Sequence, residues 1–198
     1  GKTVLDQISR NQWYLAALAI AMTIIALFFG LINISISLFN VGLSSFIILG
    51  IYLLGLRIIY ITKPSDSEEE DEVIEMSALK AWSAFGLISL GVIISGYFLA
   101  FSVDNIAEIS GVASSTLGII VVSLVTTMPE ASSYIASVRM KAADLGVAGL
   151  FGSCVFNITI IFYADIFYSK NLVNQLENAH IIACVVSLVL IIIAALLV

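Results

Sequence analysis

The stretch NQWYLAALAIAMTIIALFFGLINISISLFNVGLSSFIILGIYLLGL, residues 11–56, runs for 46 residues without a charged side chain. At about 1.5 Å per residue, one helix of that length would far exceed the roughly 30 Å hydrocarbon core of a bilayer. A polar and glycine-bearing cluster, Asn33, Ser35, Ser37, Asn40 and Gly42, interrupts the run near its middle. The stretch therefore reads as a hairpin of two spanning helices. Helices are the expected form, because backbone groups in lipid must be satisfied within their own segment.

Composition extends that reading to the whole chain. Of the 198 residues, 61% are apolar and 11% charged, and the mean hydropathy is +1.12. Soluble domains are about 45–50% apolar and about 25% charged, so this chain has too little polar surface to stay in water. A disulfide scaffold is excluded too, since the only two cysteines, Cys154 and Cys184, lie inside apolar runs. A net charge of −6 with eight Lys plus Arg disfavours nucleic acid as a partner.

Four further uncharged runs follow at 81–103, 109–129, 145–164 and 181–198, each of 18 to 23 residues. About 20 residues suffice for a crossing. The expected fold is an all-α, polytopic transmembrane bundle of six spans. With the N-terminus in the cytoplasm, Lys2, Arg10, Arg57, Lys63, Lys80, Arg139 and Lys141 are cytoplasmic and only Lys170 is outside. That bias predicts a multi-pass protein of the cell (plasma or inner) membrane in this orientation. It places Asp104, Glu108, Asp165 and Glu177 on the outer face.

Seven of the fourteen acids fall between Lys63 and Glu75. Without a mid-loop glycine or alternating acids this stretch is no EF-hand, and it reads as a solvated, self-repelling linker. The expected organisation is a transmembrane hairpin at 1–62, an acidic cytoplasmic linker at 63–76, and a four-helix group at 77–198.

Within that group, residues 111–157 break the rules of membrane sequence. Glu130 follows Pro129 deep in apolar text, where an ionisable group costs about 2.5–3.5 kcal/mol on insertion scales and marks a functional site by default. Ser123, Thr126, Thr127 and Glu130 recur at three- and four-residue steps, so their oxygens share a broad helix face. Pro129 lacks an N–H and leaves the carbonyl of Val125 without its helical partner. A helix broken there would offer carbonyl, hydroxyl and carboxylate oxygens together, the ligand set of a hard cation such as Na⁺ or Ca²⁺. On the next span Ser153 and Asn157 stand one turn apart, and Gly146, Ala148, Gly149 and Gly152 form a small-residue surface for close helix approach. The plain alternative for each hydroxyl is a bond back to its own helix. It does not account for Glu130.

This stretch resembles the alpha-repeat of the calcium/cation antiporter superfamily, the sodium/calcium exchanger-like proteins. The residues carrying the likeness are Val125-Thr126-Thr127-Met128-Pro129-Glu130, the basic turn Arg139 to Lys141, and Asp144 through Gly152-Ser153-Cys154-Val155-Phe156-Asn157. YLLGLRIIY at 52–60 is similar to the bacterial branch. The likeness is close over 104–168 and looser over 11–198. It departs at Val125, where Gly is usual, and at Gly149 and Cys154, where Asn is usual.

The resemblance implies that Glu130 is the central cation ligand and that Thr126, Thr127, Ser123, Ser153 and Asn157 supply further oxygens. It also implies a ten-helix antiporter of two inverted repeats, of which these six spans look like the fourth to ninth. Residues 1–100 hold no second Pro-Glu motif; Pro64 lies in the linker. One carboxylate cannot neutralise Ca²⁺, and the apolar end at Leu196-Leu197-Val198 looks like a truncated span. The expectation is thus a partial chain carrying one repeat, whose partner is the first-repeat half or a second copy. Its expected activity is Na⁺/Ca²⁺ exchange by alternating access, with Ca²⁺ and Na⁺ as transported ligands and no cofactor. Exchange of Ca²⁺ or another cation for H⁺, and a non-transporting membrane assembly subunit, are the alternatives. No nucleotide-binding loop, Cys/His cluster or serine triad occurs, so no enzymatic chemistry is read. His180 reads as an interfacial residue at the start of the last span.

Overall fold

The computed structural model describes residues 11–32, 36–38, 41–62, 77–168 and 172–197. The acidic linker 63–76, the turn residues Asn33, Ser35 and Asn40, and Lys2, Arg10 and Lys170 lie outside the described residues. Among the described residues, six helical segments are long and apolar enough to cross a membrane. In chain order the helices are α1 (Asn11–Ile32), α2 (Leu43–Thr62), α3 (Ala78–Ser110), α4 (Ser114–Leu117), α5 (Ser123–Arg139), α6 (Ala143–Phe167) and α7 (Asn178–Leu197). α4, a π-helical turn at Gly118–Val122 and α5 follow one another as a single span, Ser114–Arg139.

The described residues fall into two compact units, one drawn from 1–63 and 127–198 and the other from 64–126. In the first unit α1 packs against α2, α6 and α7, and α2 packs against α6. The reason is legible on α1: Gln12, Ala16, Ala19, Met22, Thr23, Ala26 and Phe29 are buried at three- and four-residue steps. Three of these are alanines, which let the backbones of neighbouring helices come close. Met22, Ile48, Val147, Phe151, Val155 and Ile191 fill the space between the helices. The α1–α2 turn carries two short antiparallel strands, β1 (Ser37–Leu38) and β2 (Val41–Gly42), with Ser37 opposite Gly42.

In the second unit α3 packs against α4 and the π-helical turn. α3 runs 33 residues, well past the uncharged run 81–103, and takes Asp104 and Glu108 into its last turns. It ends at Gly111, whose φ of 72° is the left-handed conformation that glycine adopts without steric cost, and whose N–H bonds to the Ala107 carbonyl.

One local expectation is overturned. Pro129 does not break its helix: α5 is continuous from Ser123 to Arg139 with Pro129 inside it. Proline removes a single helical bond, whereas a break would leave several backbone groups unpaired, which in lipid is the costlier outcome. The irregularity sits earlier, in the π-helical turn that Gly118 opens.

Candidate cation-binding site

α5 and α6 are consecutive and joined by a tight turn in which Lys141 adopts a positive φ of 61°. They meet closely at the end near that turn. A Cβ placed on Gly146 would run into the Ser137 hydroxyl and come within 2.9 Å of the Tyr134 ring. Ser137 is itself buried and donates its hydroxyl to the Tyr134 carbonyl at 2.7 Å. Of the three glycines noted on α6, only Gly146 is used in this way. A Cβ on Gly149 or Gly152 would meet nothing within 4 Å.

The distance of each polar row from that contact, along its own helix, follows from the residue numbers. Glu130 is seven residues before Ser137, and Ser153 is seven residues after Gly146. Both therefore stand about 10 Å along their helices from the point where the helices touch. Thr127 and Asn157 lie about one turn further on each helix. Glu130 is nine residues from the end of its helix at Arg139, and it is half-buried. α5 is not packed lengthwise into the bundle of α1, α2, α6 and α7. Its Thr127 is exposed, as is Asn157 on α6, while Ser153 is half-buried. Among the described residues, no side-chain hydrogen bond engages Glu130, Ser153 or Asn157.

The remaining two oxygens, those of Ser123 and Thr126, belong to the other unit. Both bond back to the helix: Ser123 donates to the Ile119 carbonyl, and Thr126 to those of Val122 at 2.9 Å and Ser123 at 3.2 Å. Back-bonding and ligation are compatible, because the hydroxyl spends its proton on the carbonyl and keeps lone pairs to offer. Among the described residues no group of three or more His, Cys, Asp or Glu forms a metal cluster. Glu130 is thus the single carboxylate among the six.

Sequence reasoning placed Asp165 with the outer-face acids, and the structure separates it from them. Asp165 is fully buried inside the last turns of α6. Its Oδ2 accepts the Gly42 N–H at 2.6 Å and the Ser45 hydroxyl at 2.9 Å, and its Oδ1 accepts the Leu172 N–H at 2.7 Å. The only hint in the sequence was its place one residue beyond an uncharged run. His180 is half-buried at the start of α7, where its Nδ1 accepts the Glu177 N–H at 3.2 Å.

Six long apolar helical segments, one of them carrying a carboxylate in its polar row, define a multi-pass helical membrane protein. The family model for the sodium/calcium exchanger protein matches residues 80–198, more than half of the chain, and the chain belongs to that family. Membership carries exchange transport of cations as the general activity. No curated protein and no solved structure matches the chain. The matched stretch covers α3 to α7 and leaves out α1 and α2, although these two pack against α6.

Proposed function

We propose that the protein is a secondary antiporter that exchanges Na⁺ for Ca²⁺ by alternating access. In this reading Glu130 is the central ligand, and Thr126, Thr127, Ser123, Ser153 and Asn157 are the further oxygens. The observation that supports it most is the setting of Glu130. It is a carboxylate far from either end of a spanning segment, with no side-chain partner among the described residues, and Ser153 stands equally many residues from the α5–α6 contact on its own helix. Such a group is expensive in a bilayer, and a cation is the partner that offsets the cost. Ca²⁺ takes six to eight oxygens, and these residues supply about half of them. A second carboxylate therefore comes from the first-repeat half of the transporter or from a second copy of this chain. The lipid is the plasma or inner membrane, with the N-terminal side of α1 cytoplasmic.

The test is Ca²⁺ uptake into membrane vesicles carrying the assembled transporter, driven by an outward Na⁺ gradient. Glu130→Gln should abolish the Na⁺-dependent component. Unchanged uptake in that variant sinks the assignment and favours an assembly subunit. Uptake driven by a pH gradient alone, in Na⁺-free buffer, would assign the proton as the counter-ion.

A further inference from the structure

The fully buried carboxylate at the far end of α6 is the strongest polar feature outside the cation row. Both of its oxygens are used, and each is spent on the start of another helical segment. Gly42 immediately precedes α2, Ser45 lies in the first turn of α2, and Leu172 opens the 3₁₀ turn Leu172–Gln175. The Leu172 N–H opens its turn and has no partner within it. Asp165 therefore clamps two chain segments, the β2–α2 junction and the 3₁₀ turn, to α6, the first of them 120 residues away in sequence.

The clamp matters because of what α6 carries. Asn157 is eight residues from Asp165 and Ser153 is twelve, about 12 Å and 18 Å along the same helix. At its other end α6 is held by Gln12, whose Nε2 donates to the Asp144 carbonyl at 3.2 Å and to Asp144 Oδ1 at 3.1 Å. Between the two anchors the buried Val147, Phe151, Val155 and Thr159 face the bundle and are shaped only by packing. Packing tolerates small rotations and slides of a helix, whereas three directed hydrogen bonds to a short side chain do not.

We propose that Asp165 is a positioning residue for the cation site: its clamp on Gly42, Ser45 and Leu172 sets the height and rotation of α6, and through them the placement of Ser153 and Asn157. This rests on the antiporter reading above. Asparagine cannot substitute, because its amide would turn an N–H donor toward either Gly42 or Leu172, both of which are donors.

The experiment compares wild type, Asp165→Asn and Ser45→Ala, each purified folded and monodisperse, reconstituted into vesicles as the assembled transporter, and scored by Ca²⁺ uptake per folded molecule. A second readout does not depend on transport. In a Cys184→Ala background the sole thiol is Cys154, next to Ser153 on α6, and its rate of reaction with a membrane-permeable maleimide reports the placement of that helix. Misplacing ligands by about 1 Å is costly, so Asp165→Asn should raise the KM for Ca²⁺ about tenfold and shift the Cys154 rate, and Ser45→Ala should do the same to a smaller degree. A KM and a thiol rate both unchanged in the two variants would overturn the proposal and leave Asp165 a purely structural group. Should Asp165→Asn not fold, Ser45→Ala decides by the same criteria. If wild type takes up no Ca²⁺, the antiporter reading has failed instead, and the Cys154 rate alone decides whether the clamp positions α6.

Discussion

Asp165 and Glu130 are both acids in apolar helices of the same protein, and the fold treats them in opposite ways. Asp165 is sealed from solvent, with both oxygens occupied by three donors. Glu130 is half-exposed, with no side-chain partner among the described residues. A buried carboxylate with all its hydrogen bonds made is committed to structure. One that is half-exposed and makes no side-chain bond is, on the antiporter reading, open to a transported cation. Burial and hydrogen bonding, not residue type, separate the two roles.

Four substitutions would break or sharpen this contrast, measured as thermal unfolding in detergent. Asp165→Ala should be the most damaging. It leaves two backbone N–H groups and the buried Ser45 hydroxyl without an acceptor, at about 1–3 kcal/mol for each orphaned group. Next comes Gly146→Val, which forces a side chain into Ser137 and Tyr134 where α5 and α6 touch, and should cost about 1–3 kcal/mol as overpacking does. Gly149→Ala, three residues further along the same helix, points into open space. It should be neutral or stabilising by about 0.5 kcal/mol, because alanine is the better helix former. Glu130→Gln should change stability least, by under about 0.5 kcal/mol, while removing Na⁺-dependent uptake. A large loss of stability in Glu130→Gln would mean that this acid, too, is structural.

The two glycines also show where sequence reading stops. Gly146, Gly149 and Gly152 recur every three residues and look like one close-packing surface, yet only Gly146 has a neighbour that requires it. Spacing says which residues share a face; it does not say whether another helix lies there. Pro129 teaches a related lesson. The missing N–H is certain from the residue type, but whether the helix breaks depends on how many other backbone groups a break would orphan, and in α5 the helix holds. The hydroxyls of Ser123 and Thr126 bond back to their own helix, as the plain alternative had it, and still carry lone pairs that can face a cation.

The sequence by itself determined the six spanning segments and the place of Glu130 inside one of them, because a bilayer imposes a fixed length and a heavy penalty on charge, and both are read residue by residue along one dimension. The family, too, was legible, through the resemblance carried by Thr127-Met128-Pro129-Glu130 and Gly152-Ser153 through Asn157. Only the tertiary structure decided that α1 and α2 pack with α6, that Gly146 is the one glycine where α5 and α6 touch, and that Asp165 is a buried clamp. Each of these rests on a partner far away in the chain: Gly42 and Ser45 stand more than a hundred residues from Asp165, and no local pattern records which of the many possible long-range pairs will form.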